Sequence, residues 1–416
     1  MFETLEPRRL LAASGLRAVY CNNVDFTGRT SNRLEGSVSL APALDAKPIR
    51  RINPTTFSVR WTGMVKAASE ETYTFITRNT DGVRLWINGE LVIDSWKAQP
   101  TRTHSGTITL RKNKLYDLRL EYYNGRHQAR MYLMWQTPTR TTSIIPASRL
   151  FAYDFRSANI GDYGWDNQDE YDVSQLIKSW HPDFITTIGD NNYPNGSAST
   201  IDRNVGQYFY EYIGNYHGGY GKGSPYNRFF PALGNHDWDT SGTSGASGYI
   251  NYFSLPSKER YYDFVQGPVH FFVLDSDTHE SDGTSPTSTQ GKWLESKLTA
   301  STSAFNVVIF HHAPYSSGDE GSTPRMRWPF KDWGADLVLS GHNHIYERLS
   351  EGGLPYIVNG VGGDSDLGGV IDIVGGSLVR DDQDHGAVML QANDLALTVQ
   401  FQTTSGRVLD TLTIGR

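Results

Sequence analysis

Five short clusters of carboxylate, amide and imidazole side chains, each placed just after an apolar run, constrain this chain more than any other feature. They read Gly161-Asp162-Tyr163-Gly164, Gly189-Asp190-Asn191-Asn192-Tyr193, Gly234-Asn235-His236-Asp237, His311-His312-Ala313-Pro314 and Gly341-His342-Asn343-His344. Short apolar runs bounded by glycine read as buried strands. Side chains at the carboxyl ends of adjacent strands can converge on one point. A strand ending in Gly-Asp places a carboxylate at the sheet edge, where the glycine leaves room for a metal. This happens at Asp162 and again at Asp190. Paired carboxylates can hold two cations, with one carboxylate shared. His342 and His344, two residues apart in a loop, can face different ions. His312 also follows an apolar run, Val307–Phe310. Asn235 offers an amide oxygen, a hard donor suited to Mn²⁺, Zn²⁺ or iron. His236, next to it, is placed to touch substrate rather than metal.

A chain of 416 residues has room for two or three domains. Its net charge of −7 argues against nucleic acid as the main partner. Cys21 is the single cysteine, which excludes an intrachain disulfide and a thiolate metal cluster. No run approaches the roughly 18 apolar residues of a membrane span.

Residues 16–150 read as all-β. Strand-like runs include Phe57–Val65, Thr72–Thr77, Val83–Ile87, Thr107–Leu110, Tyr116–Tyr123 and Ala129–Trp135. The turn pairs Asp81-Gly82, Asn88-Gly89 and Asn124-Gly125 punctuate them, and Asn88-Gly89 is a strong hairpin signal. This spacing predicts a sandwich or jelly roll. The segments Ser58–Gly63, Asp81–Trp96 and Tyr122–Gly125 resemble a PA14 domain, a β-barrel or sandwich module that often binds glycans. The resemblance implies polysaccharide as a partner. Some sugar-binding members hold Ca²⁺ with adjacent aspartates at the loop that here reads Thr80-Asp81, where only the second aspartate is present. Ahead of this domain, Leu5–Leu11 resembles the LEPR-XLL motif of exported bacterial surface proteins. It implies a sorting segment over residues 1–15 and an extracellular or cell-surface location.

From Phe151 to Arg416 the pattern becomes strand–loop–helix. Strands are expected at 155–160, 184–188, 229–233, 269–274, 306–310, 335–339, 355–359 and 387–391, with a hairpin from 396–402 and 408–414. Helices are expected near 172–180, 200–213 and 289–300. The mixture predicts a layered α/β domain. Taken in order, the five clusters resemble the metallophosphoesterase superfamily, which implies an αββα sandwich. Gly164 stands where many members carry a metal-binding histidine, and Tyr193 lies three residues after Asp190. With Gly341–Arg348 and Gly360–Gly363, this pattern resembles purple acid phosphatases.

That resemblance implies a phosphomonoester hydrolase in which a metal-activated hydroxide attacks phosphorus at a dinuclear centre. Fe³⁺ would be held by Asp162, Asp190, Tyr193 and His344. A second ion, Fe²⁺, Zn²⁺ or Mn²⁺, would be held by Asp190, Asn235, His312 and His342. The family's ligand is the histidine two residues before proline, which points to His312, with His311 packing beside it or supporting the ligands from behind. His236 would contact phosphate or protonate the leaving group. Related sequences carry histidine in the loop where this chain has Glu320, so Glu320 is expected near substrate. A phosphodiesterase on the same scaffold and a non-catalytic glycan-binding surface protein are the alternative readings.

Overall fold

The computed structural model describes residues 14–43, 46–125, 127–238, 245–256 and 259–416. The expected sorting segment lies outside the described residues over positions 1–13. The chain divides into two compact units. One takes residues up to Asp154 with Asn393–Thr398 and Thr413–Arg416, and the other takes Phe155–Ala392 with Val399–Leu412.

The first unit is built from β1 (Leu16–Cys21), β2 (Thr30–Glu35), β3 (Ser39–Leu40), β4 (Phe57–Lys66), β5 (Glu71–Asn79) and β6 (Val83–Ile87). It continues with β7 (Glu90–Ser95), β8 (Arg102–Leu110), β9 (Leu115–Asn124), β10 (Met131–Thr137), β11 (Arg140–Ile144) and β12 (Leu150–Phe151). A seven-stranded sheet runs β2-β1-β4-β9-β6-β7 with β12 on β4, and a five-stranded sheet runs β11-β10-β5-β8 with β3 on β10. The two sheets form a sandwich. Period-two alternation puts Phe57, Val59 and Trp61 of β4 and Leu118, Leu120 and Tyr122 of β9 on one inner face. They share a core with Tyr73 and Phe75 of β5 and Leu133 and Trp135 of β10. The Asn88-Gly89 hairpin forms between β6 and β7, with φ of 53° and 81° at its two turn residues. Positive φ at both positions is the geometry that selects Asn-Gly.

The second unit contains β13 (Phe155–Ile160), β14 (Phe184–Thr187), β15 (Phe229–Phe230), β16 (Tyr262–Gln266), β17 (Val269–Val273), β18 (Phe305–His312) and β19 (Leu337–Gly341). After these come β20 (Tyr346–Glu351), β21 (Leu354–Asn359), β22 (Ser377–Asp381), β23 (Gly386–Asn393), β24 (Ala396–Thr403) and β25 (Val408–Gly415), the last three counting Asn393, residues 396–398 and residues 413–415 with the first unit. A six-stranded sheet runs β15-β14-β13-β23-β24-β25, and a seven-stranded sheet runs β16-β17-β18-β19-β21-β20-β22. Phe155 and Phe184 of the first sheet meet Phe271 of the second at ring-centroid distances of 6.0 and 5.6 Å. On the outer face of the six-stranded sheet, helix Gln168–Ser179 buries Val173 and Ile177 with Ala158, Ile160 and Ile185. On the outer face of the other sheet, helix Thr289–Ala300 buries Leu294 and Leu298 with Phe272, Val308 and Val338. Asn167 and Ser288 cap these helices by accepting from the Glu170 and Gly291 N–H groups.

β13, β14 and β15 run parallel to one another, as do β17, β18, β19 and β21. Parallel strands deliver their carboxyl ends to one edge of a sheet, and all five clusters lie at or just beyond such ends. One expected helix does not form as a single element. Residues 200–213 break into a wide turn at Asp202–Gly206, a short α-helical piece at Gln207–Phe209 and a 3₁₀ turn at Tyr210–Tyr212. Asp202 accepts from the Tyr216 and Tyr252 hydroxyls and the Gly219 N–H, bonds that pull this segment out of regular winding.

Candidate metal centre

The ligand-type residues begin where regular strand ends. Asp162 and Asp190 follow β13 and β14 in the left-handed region, at φ of 56° and 51°, and His342 follows β19 at 71°. Such a conformation costs a non-glycine residue about 1–2 kcal/mol, least for Asp and Asn. Backbone bonds between the loops hold it: Asp162 N–H donates to Gly189 O at 3.1 Å and Tyr163 N–H to Asp190 O at 3.3 Å. The His342 N–H donates to the Asp162 carboxylate at 3.1–3.2 Å, and the His236 N–H donates to Asp190 Oδ1 at 2.8 Å. A Cβ on Gly234 would lie 2.2 Å from Asp190 Oδ1, and one on Gly341 would lie 2.4 Å from Asp162 Oδ2. Glycine precedes these clusters because a carboxylate presses on the backbone there.

Ligand atoms of Asp162, Asp190 and His311 lie within 4.8 Å of one another, and all three residues are buried. His311 Nε2 is 2.9 Å from Asn235 Oδ1, 3.3 Å from Asp190 Oδ2 and 4.0 Å from Asp162 Oδ1. Its Nδ1 lies 3.0 Å from Ile188 O. A ring nitrogen donating to a carbonyl fixes the tautomer that offers Nε2 to a cation. His312 has a different environment. Its Nδ1 pairs with Ser276 Oγ at 2.9 Å, and its ring sits 4.5 Å from that of His342. His311 stands among the carboxylates, and the rings of both His311 and His312 lie against that of His342, at 5.0 and 4.5 Å. The pairing of β18 with β19 shifts between Ile309 and His312, and the two imidazoles end 5.1 Å apart, both beside His342.

The Tyr193 hydroxyl donates to Asp190 Oδ2 at 3.1 Å and lies 3.5 Å from His344 Nε2. Its ring stacks on Trp165 at 4.9 Å. His344 Nε2 is 3.5 Å from Asp162 Oδ1, and its Nδ1 lies 2.8 Å from Asp366 O. The His342 ring is 5.0 Å from that of His311. The structure thus gathers Asp162, Asp190, Tyr193, Asn235, His342 and His344, each singled out from sequence, with His311 among them and the His312 ring 4.5 Å from that of His342.

Burial raises the Asp162 pKa, with His311 and His344 working against it. Burial also pushes on Asp190, but His311 and His236 outweigh it and hold this carboxyl below its usual range. Burial alone would lower both imidazoles nearest the carboxylates. Asp190 and Asp162 nevertheless raise His311 to about 9, and Asp162 raises His344 to about 10. Burial and the neighbouring His311 charge lower His342 to about 3. Buried carboxylates that draw protons onto their neighbours demand positive charge. The donor set of carboxylate, phenol, amide oxygen and imidazole fits hard first-row cations.

Two further buried polar residues support the ligand loops. Asn204, in the wide turn, donates to Gly164 O at 2.7 Å, Asn192 Oδ1 at 3.0 Å and Tyr193 O at 2.9 Å, tying two ligand loops together. Asp237 is buried, accepts from the Gly234 N–H at 2.9 Å and the Asn191 amide at 2.8 Å, and is pushed up to about 7 by burial and Asp190. Gly164 has no room for a side chain, since a Cβ would sit 1.8 Å from Asn191 O. A cavity of about 230 Å³ opens over the cluster. Asp190, Asn235, His342 and His344 line its inner part together with His236, whose Nδ1 is 2.7 Å from Pro194 O. The lining also includes Glu320, Asp319 and Asp366.

Comparison with known proteins agrees with this architecture. Residues 12–149 match the PA14 domain model, and residues 155–346 match the calcineurin-like phosphoesterase model. The chain is a PA14 domain followed by a calcineurin-like metallophosphoesterase domain. It is 42% identical to anti-sigma-I factor RsgI3 of Acetivibrio thermocellus, over 34% of this chain and 22% of that one. It is 25% identical to purple acid phosphatase 17 of Arabidopsis thaliana, over 46% of this chain and 62% of that one. The chain therefore spans less than two thirds of either relative. Among solved structures, GAP50, the anchor in the inner membrane complex of Plasmodium, aligns at a TM-score of 0.50 and 20% identity, over 63% of this chain and 88% of that one. That likeness concerns the fold alone. Phosphoesterase relatives of this kind imply a dinuclear metal site, and the buried Asp162, Asp190 and His311 cluster fits one. Among the described residues no helix is long and apolar enough to cross a membrane.

Proposed function

We propose that this protein is a metal-dependent phosphoesterase that hydrolyses phosphomonoesters at the Asp162, Asp190 and His311 cluster. The observation that carries the reading is the convergence of buried carboxylate, imidazole and amide donors beneath one polar cavity. Asp162, Asp190, Tyr193 and His344 would hold Fe³⁺, and Asp190, Asn235, His311 and His342 would hold Fe²⁺, Zn²⁺ or Mn²⁺. When bound, such a pair of ions supplies hydroxide near neutral pH and offsets charge on the phosphoryl oxygens. His236 acts from the chain itself. With Nδ1 tied to the Pro194 carbonyl, its Nε2 is left to contact phosphate or to protonate the leaving alkoxide, a role contributing about 10²–10⁴-fold.

The test is metal-loaded enzyme assayed on aryl phosphate monoesters and diesters, with metal content and a visible spectrum recorded on the same sample. Monoester turnover should exceed diester turnover, and an iron-loaded sample should show a tyrosinate absorption band from Tyr193. A faster diester rate overturns the ester class, and a colourless iron-loaded protein overturns the iron assignment. The two adjacent imidazoles give a sharper comparison. His311→Ala should fall from two bound ions to one, whereas His312→Ala should retain both. The opposite pattern restores His312 as the ligand.

The PA14 domain would keep the enzyme near polysaccharide outside the cell, in keeping with the export-type motif at Leu5–Leu11. Calcium does not fit its Asp81 loop. Asp81 is buried at φ 47°, and its carboxylate accepts from the Gly125 N–H at 2.9 Å and the Gln99 N–H at 3.3 Å while His127 Nδ1 lies 2.7 Å away. These bonds use the carboxylate to clip loops together, so glycan contact here would be calcium-independent. Retention on polysaccharide that chelator abolishes would contradict this.

A further inference from the structure

The cavity above the metal cluster is acidic at its mouth as well as at its base. Asp319, Glu320 and Asp366 line it, and all three are exposed. They come from two loops far apart in sequence, one after β18 and one after β21. Their carboxylates are poorly matched within the protein. Asp319 Oδ2 has a marginal contact to the Gly369 N–H at 3.5 Å. The hydrogen bonds of Asp366 involve its backbone: its N–H donates to Asp364 Oδ1, and its carbonyl faces His344 Nδ1. Among the described residues lining the cavity none is lysine or arginine. Cations bound at Asp162 and Asp190 would act on the phosphoryl group at the base and leave the mouth negative. An ester with a neutral or anionic leaving group meets repulsion there, whereas one with a cationic leaving group meets a complementary field.

We propose that Asp319, Glu320 and Asp366 select phosphate esters whose leaving group carries an ammonium charge. The inference rests on the phosphoesterase reading and names its substrate class. The phosphoryl group sits over the metal cluster beside Asn235 and His236, and the ammonium group lies between the two acidic loops. No bond to the ammonium group forms or breaks. The carboxylates act on binding and orientation, so their effect appears in kcat/KM and weakens with salt.

The test compares phosphocholine with 3,3-dimethylbutyl phosphate, its neutral carbon isostere, on the metal-loaded full-length protein. Wild type should favour phosphocholine in kcat/KM by about tenfold, a size within reach of a few exposed ion pairs acting together. The preference should shrink as ionic strength rises toward about 1 M, where the screening length falls to about 3 Å. In the triple variant Asp319→Asn, Glu320→Gln, Asp366→Asn the ratio should approach one. The double variant Asp319→Asn, Glu320→Gln changes a single loop and should give an intermediate ratio. Equal rates on the two esters in wild type, or a preference unchanged in the variants, overturns the inference and leaves the phosphoesterase reading standing. Failure to hydrolyse either ester, with aryl phosphates also untouched, overturns both.

Discussion

Asp190→Ala is expected to abolish turnover and to leave neither ion firmly bound. Asp190 is the carboxylate that both sides of the cluster share. Its Oδ2 faces His311 Nε2 at 3.3 Å and accepts from Tyr193 at 3.1 Å, while its Oδ1 accepts from the His236 N–H at 2.8 Å. Removing it strips the cluster of its central charge and leaves buried donors unpaired, at about 1–3 kcal/mol each. The ions' contribution, lowering the pKa of water from about 15.7 to about 7, goes with them, so the loss should be on the order of 10⁴-fold or more. Asp190→Asn separates chemistry from folding. It keeps the volume and one acceptor oxygen, so it should stay folded while losing metal. Metal content and kcat on an aryl phosphate read both effects, and wild-type-like turnover in either variant contradicts the site.

Chelation should lower the melting temperature. Asp162 and Asp190 are 0% and 1% exposed, so without a cation their buried charge draws protons onto His311 and His344. A ligand at a hundred times its dissociation constant stabilises the native state by about 2.7 kcal/mol. For a domain of this size each kcal/mol moves Tm by about 2–4 °C, giving a drop of about 5–10 °C on metal removal. Adding back Zn²⁺ or Mn²⁺ should restore it, and Asp190→Asn should be insensitive to chelator. A wild-type melting curve that chelator does not move would show that the cluster holds no cation.

Much of the fold was legible because period and punctuation are local properties. Alternation in β4, β9 and β10 and the Asn88-Gly89 turn depend on neighbours a few residues away, and the structure follows them. The break of 200–213 was not legible. It depends on Asp202 meeting Tyr216 and Tyr252, which composition within the segment cannot reveal. Strands such as Tyr262–Gln266 and Ser377–Asp381 were missed because they are short, carry charged residues and lie at the edges of the seven-stranded sheet.

The residues of the candidate centre divide the same way. Gly-Asp after an apolar strand, Gly-Asn-His and Gly-His-Asn-His announce themselves, since each needs only a strand, a tight turn and a donor in succession. The placing of His311 and His312 does not, because both imidazoles close on His342 and only contacts between distant segments bring His311 Nε2 to 3.3 Å from Asp190. Nor does the acidic mouth, which forms when loops more than forty residues apart border one cavity. The amino-acid order by itself determined the two-sheet first domain, the layered second one and the kinds of ligand available. Only the tertiary structure decided which donors meet the two carboxylates and which charges surround the space above them, because both depend on contacts between segments that no local pattern couples.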